Sequence, residues 1–127
     1  MILSILLGVI IYISIGMLYY SPLLFGNKWV EVLNIKEANP PNYGLVSLVT
    51  LVITVVLYLL LQVAGAQTII DGFLVGLLTG VIVTLAYGKD FLFGLGAHTK
   101  NEQLTFVLAA GYHLLALTII GAVMVVV

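Results

Sequence analysis

Residues Tyr43–Val63 read YGLVSLVTLVITVVLYLLLQV, a run without a single charge and rich in Leu, Val and Ile. About 20 predominantly apolar residues are enough to cross the hydrocarbon core of a bilayer as a helix, so this stretch reads as a transmembrane span. It is not alone. The chain has 127 residues, of which 63% are hydrophobic and only 7% charged, where a soluble domain carries about 25% charged residues. The charges are clustered, leaving Met1 to Asn27, Ala38 to Ile70, Gly72 to Gly88 and Gln103 to Val127 uncharged. Four spans are predicted, at about 2–20, 43–63, 68–87 and 104–126. The fold class is therefore all-α integral membrane, one domain with four transmembrane helices in one bundle. This excludes a soluble enzyme with its own water-facing surface.

The links carry the punctuation. Tyr19 and Tyr20 close the first span where aromatic side chains favour the headgroup region, and Ser21-Pro22 suits the start of a new helix. From there to Glu37, Leu24, Phe25, Trp29, Val32 and Leu33 alternate with Lys28, Glu31, Lys36 and Glu37. That pattern predicts a short interfacial amphipathic helix between spans one and two, anchored by Trp29 and broken at Pro40-Pro41. A tight turn is expected at Ala64-Gly65-Ala66-Gln67. A longer, glycine-rich link is expected from Gly88 to Gln103. The apolar N-terminus, with no basic region or cleavage motif, reads as a retained span and not as a signal peptide.

All four lysines (Lys28, Lys36, Lys89, Lys100) fall in the 1–2 and 3–4 links and none in the 2–3 turn. The positive-inside rule then places those links in the cytoplasm and both termini outside. Net charge is −1 with histidine neutral, and no basic stripe invites nucleic acid. Cysteine is absent, which removes disulfides and thiolate chemistry. No phosphate loop, nucleophile elbow or carboxylate pair stands within a span. The expectation is a protein that is not an enzyme and has no cofactor, with the lipid bilayer as its first partner.

Four groups of residues invite a functional reading. Thr68 and Asp71 have capping-box spacing at the start of the third span, a helix cap in the plain reading and an ion or proton site in the sharper one. Gly72, Gly76 and Gly80 recur every four residues, the pattern that brings helices close in lipid; spacing alone does not say whether the neighbour belongs to the same subunit or to another. In the second span Ser47, Thr50, Thr54, Tyr58 and Gln62 form one polar stripe that either packs or lines a path. His113 lies about 15 Å along the fourth span, near the bilayer midplane, where an ionisable group is a functional candidate by default. A neutral His113 bonded to Tyr58 or a threonine would instead fix packing. His98 lies in a link and no second ligand stands at helical spacing from His113, so no metal site is expected.

Two stretches carry a resemblance. Tyr20-Ser21-Pro22-Leu23-Leu24-Phe25-Gly26-Asn27-Lys28-Trp29 and Ala110-Gly111-Tyr112-His113-Leu114, with Gly121-Ala122, resemble the two signatures of a prokaryotic membrane family, the domain of unknown function family 1761. Asp71-Gly72 fits its pattern as well, and Tyr19-Tyr20-Ser21-Pro22 stands where the family usually has Trp-Tyr-Ser-Pro. The resemblance implies four spans and a location in the prokaryotic cell membrane, and it brings no activity with it. Small multidrug exporters need an acid in the first span, and fluoride channels and glutathione-dependent membrane enzymes lean on arginine; this chain has neither. The leading expectation is a structural or accessory subunit, a homo-oligomer or part of a larger membrane complex. The alternatives are a small-solute or proton conduit lined by the second-span stripe and His113, and a lipid- or quinone-binding protein using Trp29, Tyr19 and Tyr20 at the interface.

Overall fold

The computed structural model describes residues 1–35, 40–93 and 100–127, with the side chains of residues 91 and 100–102 also left aside. Lys36 and Glu37, which end the expected amphipathic segment, and His98 lie outside the described residues. Five helices follow in order: α1 (Ile2–Tyr19), α2 (Gly26–Val32), α3 (Tyr43–Val63), α4 (Ile69–Leu92) and α5 (Lys100–Val125). All but α2 are long and apolar enough to cross a membrane.

Local chemistry sets the ends. Asn42 caps α3, its Oδ1 accepting from the Leu45 N–H at 3.1 Å. At the other end Gly65, at φ +65°, takes the left-handed conformation that lets the chain reverse. The Gly65 and Ala66 N–H groups then satisfy the last free carbonyls of α3, at Gln62 and Leu61. Thr68 and Asp71 form a reciprocal capping box: Thr68 Oγ1 accepts from the Asp71 N–H at 3.2 Å, and Asp71 Oδ2 accepts from the Thr68 N–H at 2.9 Å. Asp71 Oδ2 also accepts from the Gln67 N–H and the Thr68 hydroxyl, so this one oxygen gathers three donors at the start of α4.

Two boundaries differ from the sequence expectation. The segment after α1 does not begin a helix at Ser21-Pro22. The Ser21 hydroxyl turns back and donates to the Leu18 carbonyl at 2.6 Å, and the N–H groups of Leu24, Phe25 and Gly26 return to Ser21, Tyr19 and Ser21 carbonyls. The result is a compact turn, and α2 starts only at Gly26. A Cβ on Gly26 would run into the Tyr20 carbonyl, which is why glycine stands there. The second difference lies in the link expected from Gly88 to Gln103. Gly88-Lys89-Asp90 holds no helix breaker strong enough to end α4, which continues to Leu92, while α5 begins at Lys100. Charge marks where a helix leaves the hydrocarbon, not where it stops.

The helices stand as an open row, α3 beside α1, α1 beside α5, and α5 beside α4, each neighbour antiparallel. Gly72, Gly76 and Gly80 of α4 face α5 of the same chain. A Cβ on Gly72 would strike the Gly121 carbonyl, one on Gly76 the Leu117 carbonyl, and one on Gly80 would lie 2.9 Å from Leu114 Cα. Backbone therefore lies on backbone along three turns, and this row is filled from within the chain. On the other side of α5, Tyr12, Leu57, Ala116, Leu117, Ile120 and Met124 make the buried core. α3 and α4, though joined by a short turn, scarcely touch.

Gly76→Ala should push α4 off α5 and cost about 1–3 kcal/mol, the usual range for overpacking. Gly44→Ala, whose Cβ meets only Asn42 Oδ1 at 3.5 Å, should stay within about 0.5 kcal/mol of wild type. Reversible unfolding in mixed detergent micelles measures both; equal effects would mean that α4 and α5 do not meet on their glycines.

Candidate functional site

The interior polar chemistry gathers where α1 crosses α5. His113, in the middle of the α5 span, meets Tyr12 of α1: the Tyr12 hydroxyl and His113 Nδ1 are 2.5 Å apart, with the donor set by the histidine tautomer. One helical step away, the Tyr112 hydroxyl donates to the Tyr12 carbonyl at 3.1 Å. Near the other end of α1 the buried Tyr19 hydroxyl donates to the Leu108 carbonyl at 2.8 Å. Three hydrogen bonds thus tie two spans together at different depths. The rings support one another as well: Tyr12 and Tyr112 meet edge to face at 5.5 Å, and Tyr20 lies 5.4 Å from Tyr112 and 4.9 Å from Trp29. Gly16 makes room for this, since a Cβ there would lie 2.8 Å from the Tyr112 hydroxyl.

The sequence-derived stripe of α3 is divided by the fold. Thr50 and Thr54 are buried, but their hydroxyls donate to the carbonyls four residues back, at Val46 and Thr50, both at 2.8 Å. That internal bond is the usual way for threonine to settle in an apolar helix. Tyr58 and Gln62 lie nearer the far end, on a different cavity from His113. Tyr58 is therefore not the partner of His113; Tyr12 is. The reason is the order of the row, which puts α1 and not α3 against this part of α5. Ser47 is exposed.

The sequence reading passes over Tyr12, takes Tyr19 only as an interfacial aromatic and quotes Tyr112 only within a motif, so it does not anticipate their contacts between α1 and α5. A signal for them exists: Ser4, Gly8, Tyr12 and Gly16 recur every four residues in the first span, the same row of small or polar positions that betrays the packing face of α4. The interfacial motif has a physical role in this cluster. Tyr20 and Trp29 meet at a tilt, and the turn through Ser21, Pro22 and Gly26 brings α2 back against α5.

Two cavities meet at the Tyr12–His113 pair. One, of about 260 Å³, lies between α3 and α4 and is lined by Val52, Val56, Leu60, Thr79, Val83 and Tyr87 above Tyr12 and His113. The other, of about 330 Å³, is bounded by Val46, Val49, Thr50 and Ile53 of α3 with Tyr12, Tyr112 and His113. His113 makes its hydrogen bond through Nδ1; among the described residues Nε2 has none. Elsewhere, Thr84 Oγ1 on α4 is buried without a hydrogen-bond partner among the described residues. No group of three metal-ligating side chains occurs among the described residues.

Four membrane-length helices, with one tyrosine–histidine cluster and short links, define a small polytopic integral membrane protein. The family described as Protein of unknown function (DUF1761) matches residues 3–125. The chain belongs to that family. No curated protein and no solved structure matches it.

Two stability measurements follow. Thr84→Val replaces an unpaired buried hydroxyl by a methyl of the same shape and should raise stability by about 1 kcal/mol, whereas Thr84→Ser should not; a loss in Thr84→Val would mean that the hydroxyl is engaged after all. A double-mutant cycle on Tyr12→Phe and His113→Leu should return a coupling of about 0.6–2 kcal/mol. The cycle of Tyr58→Phe with His113→Leu should return none.

Proposed function

We propose that this protein is a non-enzymatic membrane protein that holds a hydrophobic molecule with a small, neutral hydrogen-bonding head at the depth of His113. One observation carries the reading: His113 has one ring nitrogen fixed by Tyr12 and the other unbonded, beside two cavities whose walls are otherwise largely Val, Leu, Ile and tyrosine rings. In hydrocarbon an unmet polar nitrogen is costly, and a carbonyl or hydroxyl presented to it relieves that cost. The valine- and leucine-lined cleft between α3 and α4 gives an apolar tail a path toward lipid. Among the described residues no lysine or acid lines either cavity, which favours a neutral head over a carboxylate or phosphate.

This reading keeps the accessory character expected from the sequence and moves the ligand from the interface to the bundle centre. A conduit has less support, because the polar stripe of α3 is split between two cavities and its buried threonines are satisfied within their own helix. Association with a second copy or a larger complex would use a face other than the Gly72–Gly80 row, which α5 already covers. We also propose that both termini lie outside, which the four lysines in the 1–2 and 3–4 links support, and that the membrane is the prokaryotic cell membrane that the family resemblance implies.

The test uses the full chain in nanodiscs, labelled with ¹⁵N-histidine and titrated with decylubiquinone as a neutral carbonyl-headed probe. Saturable binding with a shift of the His113 Nε2 resonance is the expected result. Tyr12→Phe, which frees the ring, should weaken binding about tenfold, the equivalent of one lost hydrogen bond of about 1.4 kcal/mol. Non-saturable partitioning, identical in His113→Leu, would overturn the proposal.

A further inference from the structure

The hydrogen bond between Tyr12 and His113 has a direction, and that direction decides which kind of head fits beside the ring. A neutral imidazole carries one proton, and the bond made by one nitrogen sets whether the other is donor or acceptor. Among the described residues no acid lines either cavity at His113. An imidazolium there would lie in hydrocarbon without a counter-charge, which favours the neutral ring. Two arrangements of the 2.5 Å contact between the Tyr12 hydroxyl and Nδ1 are then open. In the first, Nδ1–H donates to the Tyr12 oxygen. The O–H of Tyr12, a residue only 3% exposed, then has no acceptor among the described residues, and the bare Nε2 is a second unmet group. In the second, the Tyr12 O–H donates to Nδ1 and Nε2–H alone is unmet. Every unmet polar group away from water costs free energy, so the second arrangement wins by one group. The neighbouring Tyr112 hydroxyl does not compete, because it donates to the Tyr12 backbone carbonyl.

His113 therefore offers a donor, Nε2–H, to whatever occupies the space beside it. Thr50 and Thr79 also line these cavities, but their hydroxyls donate to the Val46 and Val75 carbonyls of their own helices, at 2.8 and 2.7 Å. We propose that the site selects a ketone-type carbonyl, an acceptor with no hydrogen of its own, over a hydroxyl on the same apolar skeleton, and that Tyr12 sets this preference by fixing the tautomer of His113. The assignment rests on the reading that His113 holds a ligand, and it narrows the class of that ligand. A hydroxyl head accepts the same bond from Nε2–H, but its own O–H gives up its partners at the headgroups to reach the middle of the span, where the threonine oxygens are already engaged. A ketone carries no such O–H. Applied to a quinone, the same rule retains the oxidised, carbonyl form in preference to the reduced, hydroxyl form. Tyr12 is in this account a positioning residue, acting through the imidazole.

The tautomer is measured first, on the ligand-free full chain in nanodiscs with ¹⁵N-labelled histidine. The His98→Gln chain, in which His113 is the sole histidine, makes the assignment unambiguous. A one-bond N–H correlation at Nε2 and none at Nδ1 is the expected spectrum; a proton on Nδ1, or on both nitrogens, overturns the proposal. Binding is then compared for 2-undecanone and 2-undecanol, which differ only at the oxygen, with each concentration expressed within the bilayer. The ketone should bind about tenfold more tightly, as expected for one unmet hydrogen bond. Tyr12→Phe should erase that difference by weakening the ketone while leaving the alcohol nearly unchanged, an outcome that general loosening of the bundle does not produce. Equal affinities in wild type would overturn the carbonyl preference and leave a ligand site at His113. Saturable binding of neither compound would remove the site itself, so the two failures are distinct. The spectrum and the wild-type comparison need no change at Tyr12, so both stand even if Tyr12→Phe fails to fold.

Discussion

In hydrocarbon, an apolar side chain gains little by leaving lipid for a neighbouring helix, so spans are held together by close contact and by interhelical hydrogen bonds. Both converge on α5. Toward α4 it meets glycines, and the Gly121 and Leu117 carbonyls lie where a side chain on Gly72 or Gly76 would otherwise be. Toward α1 it supplies His113, Tyr112 and the Leu108 carbonyl to three hydrogen bonds. One helix thus uses two different means of association on its two flanks, and the other spans are arranged around it.

The consequence for function is geometric. Because α3 is attached mainly through α1, where Gly8 lets Thr54 pack closely, it leaves α4 and opens a cleft above the Tyr12–His113 pair. A closed four-helix bundle would have filled that space with side chains. The open row instead brings apolar walls, one histidine and the membrane together. The same attachment puts Ser4, Tyr58 and Gln62 on the lining of one small cavity at the far end.

The aromatic cluster links the membrane interior to the α2 side. Tyr20 bridges Tyr112 and Trp29, and Tyr19 touches Phe25 and Tyr112. The two sequence signatures that carried the family resemblance, one after the first span and one in the last, turn out to be neighbours in space. Gly26 allows the tight turn and Gly16 admits the Tyr112 ring, so glycine placement and ring placement form one arrangement.

The sequence by itself determined the number of spans, the Asp71–Thr68 cap and the turn at Gly65, because these depend on hydropathy and on bonds between residues a few positions apart. It also marked the Gly72, Gly76 and Gly80 row as a contact face and His113 as the exceptional residue. Tertiary structure alone decided what each of them meets. The glycine row belongs to α5 of the same chain, His113 belongs with Tyr12 and not Tyr58, and the α3 stripe is divided between two cavities. Those outcomes rest on the lateral order of helices. Every apolar span offers lipid much the same surface, so the order is set by where small residues and hydrogen-bonding groups on distant segments match, which no local pattern records.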